Sequence, residues 1–224
     1  MKNTLKLATA AAALAMSGAA SAGSSDGKIQ VKAMATLVAP DGKITSIELD
    51  AIGLPAGTQT KADDNFVPTI AAEYFFTPNI SLETICCVTQ HDVTGTGPIA
   101  GAGLVSDAKI IPATLTAKYH FGDGSGFKPY VGAGPTYFIF IDEKAGAAAQ
   151  ALGATRQKMN DKVGFALQAG FDLPLNDKGL GLSVDAKRYF VNTTARWFAG
   201  TTEVLRTRHR IDPWVVSAGL AYRF

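Results

Sequence analysis

Counting back by twos from Phe224 gives Tyr222, Leu220, Ala218, Val216 and Trp214, all apolar or aromatic. The residues between them, Arg223, Ala221, Gly219, Ser217 and Val215, are small or polar apart from Val215. This alternation describes a strand with one greasy face. In water an aromatic edge of that kind invites aggregation, whereas the last strand of a transmembrane barrel closes the cylinder against the first. The same rhythm predicts eight strands, over roughly 28–39, 65–76, 80–91, 109–121, 128–141, 162–173, 180–191 and 210–224. Turn-forming links sit at Thr77-Pro78-Asn79, Gly122-Asp123-Gly124-Ser125-Gly126 and Pro174 to Lys178. Long polar or small-residue links cover 41–64, 92–108, 142–161 and 192–209, with a short helix expected within 145–154. Short turns at one end and long loops at the other describe an all-β fold, an eight-stranded antiparallel transmembrane up-and-down β-barrel with periplasmic turns and extracellular loops.

The N-terminal pattern changes the compartment. Lys2 and Lys6 precede the apolar run Leu7 to Met16, and Ala20-Ser21-Ala22 is a small-residue cleavage site. The run is too short for a spanning helix and lacks a stop-transfer flank. Residues 1–22 are therefore expected to be a cleaved signal peptide and 23–224 the barrel, exported to the bacterial outer membrane. Without Lys2 and Lys6 the 21 basic residues fall to 19, matching the 19 acidic ones, so charge gives no sign of a nucleic-acid partner.

Alternation also assigns faces. Ile29, Val31, Ala33, Ala35 and Leu37 face lipid, as do Ile111 to Phe121 and Val163 to Leu173 taken by twos. The charges within the strands then point inward: Lys32, Glu73, Glu83, Lys118, Asp172, Asp185, Lys187 and Arg223, with His120 beside Lys118. Four acids and four bases near the short-turn ends predict a plug of ion pairs across a narrow lumen. Towards the long loops the inward set is mostly apolar: Val38, Val67, Ile85, Cys87, Ile110, Pro112, Phe138, Phe140 and Val191. Periodicity alone fits both a chamber for a greasy solute and ordinary core packing.

Pro68, Pro112 and Pro135 fall inside strands, and Pro213 begins the last. Each lacks the N–H that a ladder rung needs. Pro112 and Pro135, on neighbouring strands, are the expected lateral opening to the bilayer; prolines that merely mark bulges are the alternative. Cys86 and Cys87 point to opposite faces and read as small fillers. His91, His120 and His209 have no metal-ligand spacing, so no metal site or cofactor is expected. Arg188, on the lipid face near the outer end of its strand, is expected to reach lipopolysaccharide phosphate. Tyr119, Tyr137, Phe190, Trp214 and Tyr222 fit aromatic girdles.

Three segments carry a family likeness: Ile111-Pro112-Ala113-Thr114-Leu115 leading to Tyr119-His120-Phe121-Gly122-Asp123; Lys128-Pro129-Tyr130-Val131-Gly132-Ala133-Gly134; and Arg210-Ile211-Asp212-Pro213-Trp214 through Tyr222-Arg223-Phe224. With Glu73-Tyr74-Phe75 and Leu82-Glu83, the chain resembles the outer-membrane protein W (OmpW) family over almost all of its exported part. It departs from the family at Ile111-Pro112-Ala113, where a double proline is frequent, and in its Cys86-Cys87 pair. The resemblance implies an eight-stranded barrel that passes small hydrophobic molecules across the outer membrane, and it favours the chamber over core packing. Gly219, Tyr222 and Phe224 also resemble the C-terminal signal read by the barrel-insertion machinery. Two rivals are a structural or adhesive barrel with a filled lumen and a lipid-acting enzyme using His91, Asp92, Ser106 and His209; the spacing of those four supports no triad, and no enzyme is expected.

Overall fold

The computed structural model describes residues 23–24, 26–122 and 126–224. The expected signal peptide, 1–22, lies outside the described residues.

Eight strands form the staves of the barrel: β1 (Ile29–Ala39), β4 (Asn65–Phe75), β5 (Ile80–Cys86), β7 (Gly103–His120), β8 (Lys128–Ile141), β11 (Lys162–Pro174), β12 (Leu180–Phe190) and β15 (Trp214–Arg223). Consecutive staves pair antiparallel, and β1 pairs with β15 from Gln30↔Arg223 to Ala39↔Trp214, which closes the cylinder. Period-two burial follows the sequence on every stave. On β1, Gln30, Lys32, Met34, Thr36 and Val38 are buried, while Ile29, Ala33, Ala35 and Leu37 are exposed. The outer face carries Tyr74 on Phe76 and Tyr119 on Phe121 at one rim, each pair edge to face with centroids 5.1 Å apart. Tyr137, Phe190 and Trp214 lie exposed towards the other. These rings are the amphipathic belts that mark the two membrane surfaces.

The long links differ from the expected loops. They fold into an upper storey: β2 (Lys43–Asp50), β3 (Gln59–Ala62), β6 (Thr89–Thr96), β9 (Lys144–Ala145), β10 (Arg156–Met159), β13 (Asn192–Ala199) and β14 (Thr202–Arg210), with the short helix α1 at Ala147–Ala151. One wall is the sheet β10-β13-β14-β2; the other extends β7 upward and adds β6, β3 and β9. Above the membrane the polarity inverts. On β13 and β14 the inward residues are Ala195, Trp197, Leu205, Thr207 and His209, and Arg196, Arg206, Arg208 and Arg210 point out. Register shifts beside Trp197, Arg206 and Arg208 displace the pairing with neighbouring strands, while inward and outward residues still alternate. The inward set mixes Thr193, Thr207 and His209 with Ala195, Trp197 and Leu205 and so forms no clean apolar stripe.

The sequence joined 80–91 into one strand, but the structure breaks it at Cys87-Val88 and resumes it as β6. The last stave starts at Trp214; Arg210 belongs to β14.

Candidate functional site

Three apolar cavities descend through the upper storey into the barrel. The outermost, about 90 Å³, lies between α1 and the β13–β14 wall and is lined by Leu54, Leu104, Ala149, Trp197 and Leu205 among others. The second, about 60 Å³, shares Thr60 and Trp197 with the first and adds His91, Ala108, Met159, His209 and Ile211. The third, about 20 Å³, shares His91, Ile110 and Ile211 with the second and reaches Val38, Ile85, Cys87, Phe138 and Tyr189. Neighbouring cavities share lining residues, so the three stack as one apolar track. It narrows downward to a space for one water-sized group.

The floor of this track is a layer of rings and hydroxyls. Phe138 meets Tyr189 edge to face with centroids 5.5 Å apart. Thr114 Oγ1 lies 2.8 Å from Thr136 Oγ1 and 3.4 Å from the Tyr189 hydroxyl. One layer lower, Gln168 donates to Glu83 at 2.9 Å and to Asp185 at 3.1 Å. Beneath it Lys32 pairs with Glu73 at 2.9 Å, Glu83 at 3.1 Å and Asp172 at 3.3 Å. Lys118 pairs with Glu73 and Glu83 and stands 3.6 Å from the Tyr130 ring centroid. Lys187 bridges Glu83 at 3.2 Å and Asp185 at 3.0 Å. His120 and Ser81 complete the coordination of Glu73. Burying such charges is costly unless every one is partnered, and here each lysine meets at least two carboxylates. The layer crosses the lumen as one network of buried ion pairs.

Each residue singled out in the sequence can now be placed. Val38, Val67, Cys87, Ile110, Phe138, Phe140 and Val191 are buried together in one inward cluster. Ile85 packs with Met34 and Ala71 and also lines the lowest cavity. Seven of the eight charged residues form the network above. Arg223 stands apart: its Nε donates to the Gly27 carbonyl at 2.5 Å and its guanidinium lies 3.7 Å from the Phe75 ring centroid. Arg188 pairs with Asp41 at 3.1 Å and stacks on Trp214. Cys86 is exposed and Cys87 buried, and both are free thiols. His91 bonds Thr89 and the Asp63 carbonyl, and His209 bonds Thr207. Asp92 accepts from the Asp107 amide, so His91, Asp92 and His209 are engaged elsewhere and form no relay among the described residues. Trp197, Leu205, His209, Met159 and Ile211 line the track but were missed, because Trp197, Leu205 and His209 sit among threonines and arginines in segments that read as polar links, Met159 ends a four-residue strand and Ile211 lies between strands.

Gly219 lies on the closing seam, where a Cβ would collide with the Ala33 carbonyl of β1. Gly219→Ala should therefore cost about 1–3 kcal/mol of barrel stability through overpacking, read as a lower urea midpoint in lipid vesicles. An unchanged midpoint would leave Gly219 with no steric role at the seam.

The three prolines occupy different settings. Pro135 points outward opposite Leu115, where the β7–β8 ladder skips Leu115 and Thr116 between Thr114↔Thr136 and Ala117↔Ala133. The backbones stay in contact there, since a Cβ on Gly134 would strike the Leu115 carbonyl. Pro68 and Pro112 flank a larger discontinuity. The β4–β5 ladder ends at Ile70↔Cys86. The β5–β7 ladder ends at Ile85↔Thr114, and β6–β7 pairing resumes at Thr89↔Ile110. Cys87-Val88 thus joins no ladder on either side. Asn65 Nδ2 donates to the Gln90 carbonyl at 2.6 Å and bounds the slot above. Val88 is 51% exposed on the lipid face while Cys87 closes the lowest cavity.

Comparison with known proteins places this geometry among outer-membrane barrels. The OmpW family model matches residues 25–224. Outer-membrane protein y4mB of Sinorhizobium fredii is 34% identical over 203 residues, covering 91% of this chain and 82% of that protein. Outer membrane protein W of Vibrio cholerae is 35% identical over 156 residues, covering 67% and 70%. The crystal structure of OprG from Pseudomonas aeruginosa superposes with a TM-score of 0.78 at 28% identity, covering 90% of this chain and 98% of that one.

Proposed function

Because the chain belongs to the OmpW family of outer-membrane barrels, we propose that it admits small hydrophobic molecules from outside through the apolar track and releases them sideways into the bilayer. The observation that carries this reading is the pairing of an apolar track with a sealed floor. A solute reaching Phe138 and Tyr189 meets a layer of buried ion pairs below it. Crossing that layer would strip an apolar molecule of every favourable contact and break charge pairs. Moving outward through the wall exchanges one apolar surrounding for another.

The slot at Cys87-Val88 is the exit the ladder supports best. It is flanked by Pro68 and Pro112, whose missing N–H groups remove rungs on both sides. Displacing Cys87 therefore breaks no sheet hydrogen bond, whereas opening the seam at Pro135 parts two backbones in contact. Pro112 keeps its expected place in the gate, and Pro68 takes the place given to Pro135. A purely structural barrel leaves both the track and the unladdered slot without a use.

A reversible staple tests the exit. Thr69 follows Ile70 in register and adjoins the Cys87 thiol, so Thr69→Cys in a Cys86→Ala background places two thiols across the slot. Uptake of a long-chain alkane would be followed in cells lacking and then expressing the protein, with a charged solute of similar size as control. Oxidation is expected to reduce alkane entry to the level of cells without the barrel, and reduction to restore it. Alkane entry at full rate through the disulfide-closed barrel would remove the lateral exit. Equal stimulation of both solutes would instead mean a water-filled pore.

A further inference from the structure

The upper storey is electrically lopsided. On the outward face of the β10-β13-β14-β2 sheet, Lys158 stands opposite Arg196, and Arg196 opposite Arg206, in one row across three strands. Arg206, Arg208 and Arg210 form a second line down β14 towards Trp214 in the aromatic girdle. Successive outward residues on a strand are about 6.6 Å apart. The opposite wall carries Asp63, Asp64, Asp92 and Asp107 among its lysines.

Like charges directly opposite one another destabilise a sheet, so the row across β10, β13 and β14 needs a counter-charge. The protein supplies only part of it. Glu203 binds Arg206 through two hydrogen bonds, of 2.6 and 2.8 Å. Its carboxylate is 3.8 Å from Arg196 Nε, which has no hydrogen-bond acceptor among the described residues. Lys158 is exposed and forms no ion pair among the described residues. Arg208 is held by Glu48 and Arg210 by Asp212.

We propose that Lys158, Arg196 and Arg206 form a binding site for the phosphate groups of lipopolysaccharide standing beside the barrel in the outer leaflet. The site rests on the barrel lying in the outer membrane with this storey outward, and is independent of the hydrophobic track. Guanidinium forks match phosphate oxygens in pairs. A phosphate seated between Lys158 and the exposed part of the Arg196 guanidinium supplies the counter-charge that the row lacks and relieves the repulsion. The neighbouring line of arginines leads from the row to the girdle, where a glycolipid headgroup begins. Bound glycolipid would brace the wall that carries Trp197 and His209.

The test is binding of the full chain, in detergent micelles, to a deep-rough lipopolysaccharide and to the same glycolipid after enzymatic removal of its phosphates. The wild type should prefer the phosphorylated form by about tenfold or more, each headgroup-facing cation contributing severalfold. Combined Lys158→Gln, Arg196→Gln and Arg206→Gln should abolish that preference. Lys61→Gln, Lys109→Gln and Lys144→Gln on the opposite wall should leave it intact within about twofold. Glu203→Gln, which frees Arg206 while leaving the row in place, should tighten binding about threefold. Heat-modified gel migration verifies folding of each variant. Equal affinity for the two glycolipids, an unaltered preference in the triple variant, equal loss in the opposite-wall control or weaker binding by Glu203→Gln would each overturn the site.

Discussion

Replacing Glu83 by alanine is expected to lower the unfolding free energy of the barrel by about 3–5 kcal/mol, the usual cost of removing one partner from a buried ion-pair network. Glu83 is the hub of the plug. Its carboxylate meets Lys32 at 3.1 Å, Lys118 at 3.0 Å and Lys187 at 3.2 Å, and it also accepts from Gln168. All three lysines are fully enclosed. Without Glu83 the three lysines share three carboxylates, Glu73, Asp172 and Asp185, so the count still balances, but Lys118 keeps only Glu73 and Lys187 only Asp185 in an enclosed lumen. Removing charges in balance should hurt less: Glu83→Leu with Lys118→Met is expected to recover most of the loss, because apolar groups of similar volume replace ion pairs at little net cost. Urea unfolding in lipid vesicles, followed by the fluorescence of Trp197 and Trp214, measures both. A loss below about 1 kcal/mol in Glu83→Ala would mean that the plug is hydrated and does not seal the lumen.

Acidification should loosen the upper storey while sparing the barrel. His209 lies above the girdle on β14, buried against the second cavity, with Nε2 2.7 Å from Thr207 Oγ1 and Nδ1 3.5 Å from Thr60 Oγ1. Burial pushes its pKa down from 6.5 to about 4. Burial also lowers that of His91, against the opposing pull of the Asp63 carbonyl and of Asp64, Asp63 and Asp92. A histidine whose folded pKa is depressed is protonated more readily in the unfolded chain. Its contribution is therefore complete above about pH 6.5 and lost as pH falls towards 4. For His209 the loss approaches about 3 kcal/mol at the acid end, felt locally by β14 and β2. Amide exchange of 202–210 and 43–50, corrected for the intrinsic effect of pH, should show protection falling between pH 7 and 4.5. His209→Gln should remove the larger part of that fall. Equal corrected protection at both pH values would show that the histidines are hydrated or already compensated.

The membrane-spanning part was legible because lipid enforces the simplest code. Each stave must show apolar groups outward and pair every backbone group, so period two survives without bulges along β1, β11 and β15. The same constraint turned the charges well inside the staves inward, so alternation alone places Lys32, Glu73, Glu83 and Lys118 on the lumen side, where they are buried. Above the girdle no lipid demands an apolar face, so the alternation persists without one: Thr193, Thr207 and His209 share the inward side with Trp197, and β13 and β14 read as polar loops although Trp197 and His209 line the track.

The sequence by itself determined the barrel, its eight staves, its closure and the faces of its residues, since these follow from local alternation and the length of a bilayer crossing. Which charge meets which, and where the wall lacks its rungs, was decided only in three dimensions. Glu83 and Lys187 are distant in sequence and on staves that do not pair, yet they meet across the lumen at 3.2 Å. Pro68 and Pro112 become the two sides of one slot only because β5 stops at Cys86 and β6 restarts at Thr89. Pairing and interruption are properties of register between strands, and register is set by closure of the whole cylinder.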